Sequence, residues 1–164
     1  MKQMWAPWRL EYIQAPRADG CIFCAKVGEP NDEESLVVWR GTQTFVMLNL
    51  FPYTSGHAMA VPYRHTADLD ALVPEEVLEL WDAVRRTVRA LQRAFRPDGF
   101  NIGINLGRAA GAGIEDHLHV HIVPRWCGDT NFMPVLADVK VIPQHLRETY
   151  RLLREAFDAE PQSR

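Results

Sequence analysis

Several things are scarce in this chain of 164 residues, and each scarcity excludes something. Charge of one sign is not in excess: 18 basic residues against 21 acidic ones leave a net charge of −3. A general nucleic-acid binder is normally basic, so nucleic acid is not an expected partner. No apolar run approaches the ~20 residues that a membrane helix needs. The opening stretch, MKQMWAPWRLEYI, lacks the apolar centre of a signal peptide, so no membrane is expected as a partner and the expected location is cytoplasmic. Cysteine is rare and odd in number (Cys21, Cys24 and Cys127), which argues against a disulfide scaffold. Repeats, low-complexity tracts and linkers are also missing. What remains is ordinary globular usage, 47% apolar and 24% charged, at the length of one domain with room for a core. The expected organisation is one domain over 1–157 and a loose tail over 158–164.

The hydrophobic pattern supplies the elements. Residues 1–34 read as irregular, with Trp5, Trp8 and Tyr12 available for packing or for a partner subunit. SLVVWRGTQTFVMLNL (35–50) reads as two β runs around Arg40-Gly41, a hairpin signal. GHAMAVPY (56–63) is a third strand, entered from the turn-rich FPYTSG. The period then changes. Pro74 opens a helix, Glu75 and Glu76 suit its positive end, and Val77, Trp81, Val84, Val88, Leu91 and Phe95 mark one apolar face. RPDG (96–99) stops it. FNIGINL (100–106) alternates as a strand, with Asn101, Gly103 and Asn105 on its polar side. GRAAGAG (107–113) is a loop of small residues, and HLHVHIV (117–123) is the last strand. After Pro143, Leu146, Tyr150, Leu153 and Phe157 predict a second amphipathic helix. Together these predict an α+β fold: an antiparallel sheet with a long helix and a C-terminal helix packed on it.

HLHVHIV holds half of the chain's six histidines. Strand side chains alternate in direction, so His117, His119 and His121 share one face, each ~6.5–7 Å from the next, while Leu118, Val120 and Ile122 enter the core. Three uses compete for an imidazole face on the solvent side. It can be a merely polar surface. It can be a three-histidine metal centre. Or the middle imidazole, neutral for much of the time near pH 7, can act as a nucleophile aligned by its neighbours. A phosphate-like substrate would need donors opposite, and GRAAGAG offers backbone N–H groups with no bulk in front of them. CIFC (21–24) reads first as half a metal site or as a redox pair.

HLHVHIV resembles the signature of the histidine triad superfamily at every position. NLFPYTSGHAMAVPYRH (49–65) resembles that family's second block, CIFC its zinc-carrying branch, and MWAPWRLEYI, NLGRAAGAG and HLHVHIVPRW…NF its bacterial branch of diadenosine polyphosphate phosphorylases and hydrolases. The likeness spans roughly residues 4–157. It implies that His119 attacks the α-phosphorus of a nucleotide substrate, giving a nucleotidyl-histidine that water or inorganic phosphate then releases. It implies that His121 contacts phosphate oxygens, that His57 supports the triad, and that Asn49 contacts ribose. Asn105, with the loop residues Gly111, Ala112 and Gly113, would contact phosphate or the leaving group. It further implies a closed, structural zinc site made by Cys21, Cys24, His65 and His117, no organic cofactor, and at least a homodimer. That dimer would pair the long helix and the central strand, with Trp126–Ile142 and the aromatic N-terminus available for further assembly. An adenine nucleotide or dinucleoside polyphosphate is the implied ligand. A nucleoside phosphoramidase and a non-catalytic nucleotide-binding module are the alternatives. One departure stands out: many triad hydrolases carry Gln and Ser just before the triad, and here the stretch is GAGIED, with Glu115 and Asp116 in place of neutral donors. Cys127 has no counterpart in the pattern.

Overall fold

The computed structural model describes residues 20–129 and 145–160. The expectations for Trp5, Trp8, Tyr12 and most of the segment after Trp126 lie outside that set. Helix α1 (Ile22–Val27) and the single turn α2 (Asp32–Ser35) come first, then β1 (Val37–Arg40), β2 (Thr44–Leu48) and β3 (Ala58–Pro62). The long helix α3 (Pro74–Phe95) leads to β4 (Gly99–Gly103), β5 (Val120–Arg125) and α4 (Leu146–Asp158). The strands form one antiparallel five-stranded sheet in the order β1-β2-β3-β5-β4. The α+β class expected from the sequence is what the chain adopts. No helix among the described residues is long and apolar enough to cross a membrane.

The ends of α3 follow from local chemistry. Pro74 stands in its first turn, where no N–H is missed. The Glu76 carboxylate accepts the Val73 N–H at 2.9 Å and is itself held by Arg64. At the other end Arg96 turns left-handed (φ 48°), its N–H bonds the Gln92 carbonyl, and Pro97 forbids continuation.

The sheet is covered on both faces. On one, Val46, Leu48, Ala58, Ala60, Val120 and Ile122 meet Leu80, Val84 and Leu91 of α3 and Leu153 and Phe157 of α4. Each such side chain contributes ~1.5–3 kcal/mol by leaving water. On the other, Phe23 of α1 packs with Val37, Phe45, Met47, Met59 and Val61. Hence β2 and β3 are buried along their whole lengths.

Four expectations need correction. Residues 1–34 are not uniformly irregular, since two short helices lie within 22–35. The last strand begins at Val120 rather than His117. The apolar stripe of α3 is displaced: Val77 and Trp81 are 38% and 50% exposed, and the inward face runs through Leu80, Ala83, Val84, Thr87, Ala90 and Leu91. Finally, the tail expected to be loose from 158 starts with held residues. Asp158 ends α4, and the Glu160 carboxylate bonds Arg89 at 2.7 Å.

Candidate active site and metal centre

Pairing sets one row of side chains across the sheet. Met47 faces Met59, Met59 faces His121, and His121 faces Gly103. This row lies on the face that α1 covers. The imidazoles are therefore not on a solvent side, as the alternation alone suggested: His117 is 1% and His119 4% exposed. Phe23 lies against both, with ring centroids 5.3 Å from His117 and 5.0 Å from His119.

The hydrogen bonds fix which nitrogen of each ring carries the proton. A carbonyl can only accept, so His119 Nδ1–H donates to the His117 carbonyl at 2.9 Å and leaves Nε2 with its lone pair. The Tyr53 N–H donates to His57 Nδ1 at 3.1 Å, so His57 carries its proton on Nε2. That proton goes to His121 Nδ1, 3.0 Å away, which leaves His121 with a proton on Nε2. A bare nitrogen on His119 and a donor on His121 thus stand side by side, their rings 4.7 Å apart and edge to face. Burial keeps all three triad rings neutral. It pushes His117 and His119 below the ordinary imidazole value. His121 is pushed to about 4, by burial first and by His119 second.

His119 and His121 form the base of an open cleft of about 820 Å³, mouth included. Ile22, Met47, Met59 and Ile114 make an apolar wall, and Asn49, Leu50, Phe51 and Tyr53 make a rim. Asn105, Gly111 and Gly113 stand on the loop side. The cleft thus gathers six of the expected residues. Ala112 is not part of its lining, and His57 sits behind His121 rather than on the surface of the cleft. Asn49 is partly committed, because its Oδ1 accepts the Phe51 N–H at 2.9 Å. Its amide NH₂ is the group left to offer a ligand. Glu115 and Asp116 are exposed, and Glu115 lies 3.7 Å from Arg108. Cys127 is exposed at the turn after β5, where its N–H bonds Asp98.

Cys21, Cys24, His65 and His117 converge beside this cleft, one ligand atom from each lying within 4.8 Å of the others. His117 Nε2–H donates to the Pro62 carbonyl at 2.8 Å, so its Nδ1 lone pair faces the cluster. Cys21 Sγ is 3.3 Å and His65 Nδ1 3.2 Å from that nitrogen, and Cys24 Sγ is 3.6 Å from it and 3.3 Å from His65. Zinc bonds of ordinary length in a tetrahedron would separate such atoms by roughly 3.3–3.8 Å, so the donor set fits a closed four-ligand site. A three-histidine metal centre does not fit. His117, His119 and His121 turn their Nδ1 atoms to the cysteine cluster, to a carbonyl and to His57, and do not converge.

Sequence reasoning missed Phe23, although it stands inside the CIFC stretch singled out for its cysteines. It also missed the apolar wall. Met47, Met59 and Ile114 carry no chemical signal of their own and become neighbours only through sheet register. The Pro62 carbonyl and Tyr53 N–H are backbone groups, which a side-chain motif cannot name.

Comparison with known proteins agrees with this geometry. The HIT domain family matches residues 31–127. AP-4-A phosphorylase of Mycobacterium tuberculosis is 41% identical over 169 residues, covering 98% of this chain and 87% of the relative. Bis(5'-nucleosyl)-tetraphosphatase [asymmetrical] of Schizosaccharomyces pombe is 35% identical over 91 residues, 56% of this chain and 50% of the relative. Among solved structures, a Zn-bound histidine triad family protein from Mycobacterium smegmatis superposes with a TM-score of 0.68 at 32% identity, covering 85% of this chain and 94% of that one. With its triad running into a central strand, its fourth histidine behind and these relatives, the chain belongs to the histidine triad (HIT) family.

Proposed function

We propose that this chain is a nucleotidyl-transferring enzyme that cleaves diadenosine polyphosphates or related nucleotides at the α-phosphate. The observation that carries the reading is the proton arrangement: His119 Nε2 bare, His121 Nε2 protonated, both residues on one cleft. In the first step the His119 Nε2 lone pair forms a bond to phosphorus. The P–O bond to the remaining phosphates breaks, and they leave with its electron pair. His121 Nε2–H donates to a non-bridging oxygen as charge builds there. Water or inorganic phosphate then attacks the same phosphorus, and the N–P bond breaks. Asn49 would meet the ribose. Asn105 and the loop at Gly111, Ala112 and Gly113 would meet phosphate oxygens or the leaving group. His57 holds the proton that keeps His121 a donor.

Cys21, Cys24, His65 and His117 would hold a structural zinc ion. The ion would add cross-linking charge to thiolate and imidazole, tying α1 to the residues before β5. The likeness to a zinc-bound family member supports this assignment. A homodimer or larger homo-oligomer is supported by apolar exposure at the start of α3, where Leu78 is 74% and Trp81 50% exposed. The cytoplasm is the proposed location.

The test is product analysis with diadenosine tetraphosphate. ADP and ATP formed only with inorganic phosphate present identify a phosphorylase, as the mycobacterial relative is named. AMP and ATP formed without it identify a hydrolase. His119→Ala should lower turnover by at least about a thousandfold, as loss of a nucleophile does, and leave nucleotide binding in place. Turnover surviving in His119→Ala would sink the covalent route. A wild type that turns over neither this substrate nor a nucleoside phosphoramidate would favour the binding-module alternative.

A further inference from the structure

The cleft has a charge problem. None of the described residues that line it is Asp, Glu, Lys or Arg. His121, held near 4, adds no charge near neutral pH. A backbone N–H such as that of Gly113 can donate a hydrogen bond but carries no full charge. A polyphosphate chain adds roughly one negative charge per phosphate, and neutral donors meet that only in part.

The loop that walls the cleft carries one cation. Arg108 opens the short 3-10 turn Arg108–Ala110, between the lining residues Asn105 and Gly111. The Gly111 N–H closes that turn on the Arg108 carbonyl at 3.0 Å. The Arg108 side chain is 88% exposed, and its ion-pair partner is Glu115 at 3.7 Å, too long for a good hydrogen bond. Glu115 in turn follows the lining residue Ile114. Other arginines around the sheet are committed at short range: Arg40 to Asp32 at 2.8 Å, Arg64 to Glu76 at 2.8 Å and Arg125 to Asp129 at 2.5 Å. An exposed pair as loose as Arg108–Glu115 costs little to break. An entering phosphate can take the place of the carboxylate, and the guanidinium can then bind two of its oxygens at once.

Building on the nucleotidyl-transfer reading, we propose that Arg108 is a specificity-determining contact for the phosphates beyond the scissile one. It exchanges Glu115 for the leaving polyphosphate and so favours longer phosphate chains over short ones. Glu115 is the competitor that keeps the site from holding any passing anion.

The test measures AMP, ADP and ATP binding to full-length His119→Ala protein, which cannot turn over. Arg108→Ala and Arg108→Lys are added singly to it. Affinity should rise from AMP to ATP in the background. Arg108→Ala should weaken ATP about threefold to fivefold, the scale of an exposed charge pair, and AMP less than twofold. Arg108→Lys should recover part of that loss, and Glu115→Gln should tighten ATP. Equal losses for AMP and ATP, or no loss for either with normal AMP binding, would overturn the contact while leaving the nucleotidyl-transfer reading intact. Protein that binds none of the three would sink that reading and this contact with it. Arg108 is largely solvated, so an unchanged thermal melt should accompany the Arg108 variants.

Discussion

His119 and His121 are the same residue type two positions apart at the entry to β5, yet their protons sit on opposite nitrogens. The difference comes from two partners, a carbonyl before one ring and a second imidazole behind the other. Acid should reveal this. The folded value of His121, about 4, lies below the ~6.5 of an unfolded imidazole, so the unfolded chain binds more protons between these values. This contribution to stability is complete above about pH 6.5 and is lost as pH falls toward 4. Between pH 7 and pH 5 the loss should be about 1–2 kcal/mol, discounted for partial solvation. Denaturant melts of the wild type beside His121→Gln check it: equal pH slopes would contradict the assignment. At this scale the sequence was most legible where chemistry is tied to side-chain spacing. His65 and His117 meet the two cysteines, and His57 meets His121, all of them residues that motif spacing had singled out. It was least legible at Phe23, whose importance comes from lying over two imidazoles rather than from any reactive group.

Among elements, α1 is short, at six residues, and cannot stand alone. Two clamps hold it. At its start are Cys21 and Cys24 of the proposed zinc site, and at its end the Arg40 guanidinium donates to the Lys26 carbonyl at 2.9 Å while paired with Asp32. Between them Ile22 walls the cleft and Phe23 covers the triad. Chelation should therefore lower the melting temperature, and hydrogen exchange should speed up first in residues 21–27. A melt and exchange pattern unchanged by metal loss would contradict a structural site. This helix was invisible in the sequence because six residues give too little periodicity. The long helix was legible from period and caps, but its inward face was misjudged. Val77 and Trp81 fit the stripe and yet face outward, since the sheet meets α3 along Leu80, Ala83, Val84 and Thr87. Period gives a helix, whereas the docking angle chooses its buried side.

Across the whole molecule those outward residues become informative. Val73, Val77, Leu78 and Trp81 place exposed apolar surface on the first turns of α3, and β4 is an edge strand with Ile102 43% exposed. Monomers seldom leave such surface open. Trp81→Glu should shift the protein to a smaller species in sedimentation while His119 chemistry persists per chain. An unchanged sedimentation coefficient would count against an oligomer built on this face. The sheet order itself was not legible, because pairing partners far apart in sequence leave no local trace. That order has a consequence for synthesis. Among the described strands β5, inside the sheet, is the last one made, and it slots between β3 and β4, which both precede it. The proposed nucleophile, phosphate donor and fourth metal ligand all arrive with this late segment. A nascent chain therefore has neither the completed sheet nor its triad until the segment emerges from the ribosome. On the proposed reading, folding and chemical competence are acquired in one event, and an interrupted product of translation would be inert toward nucleotides.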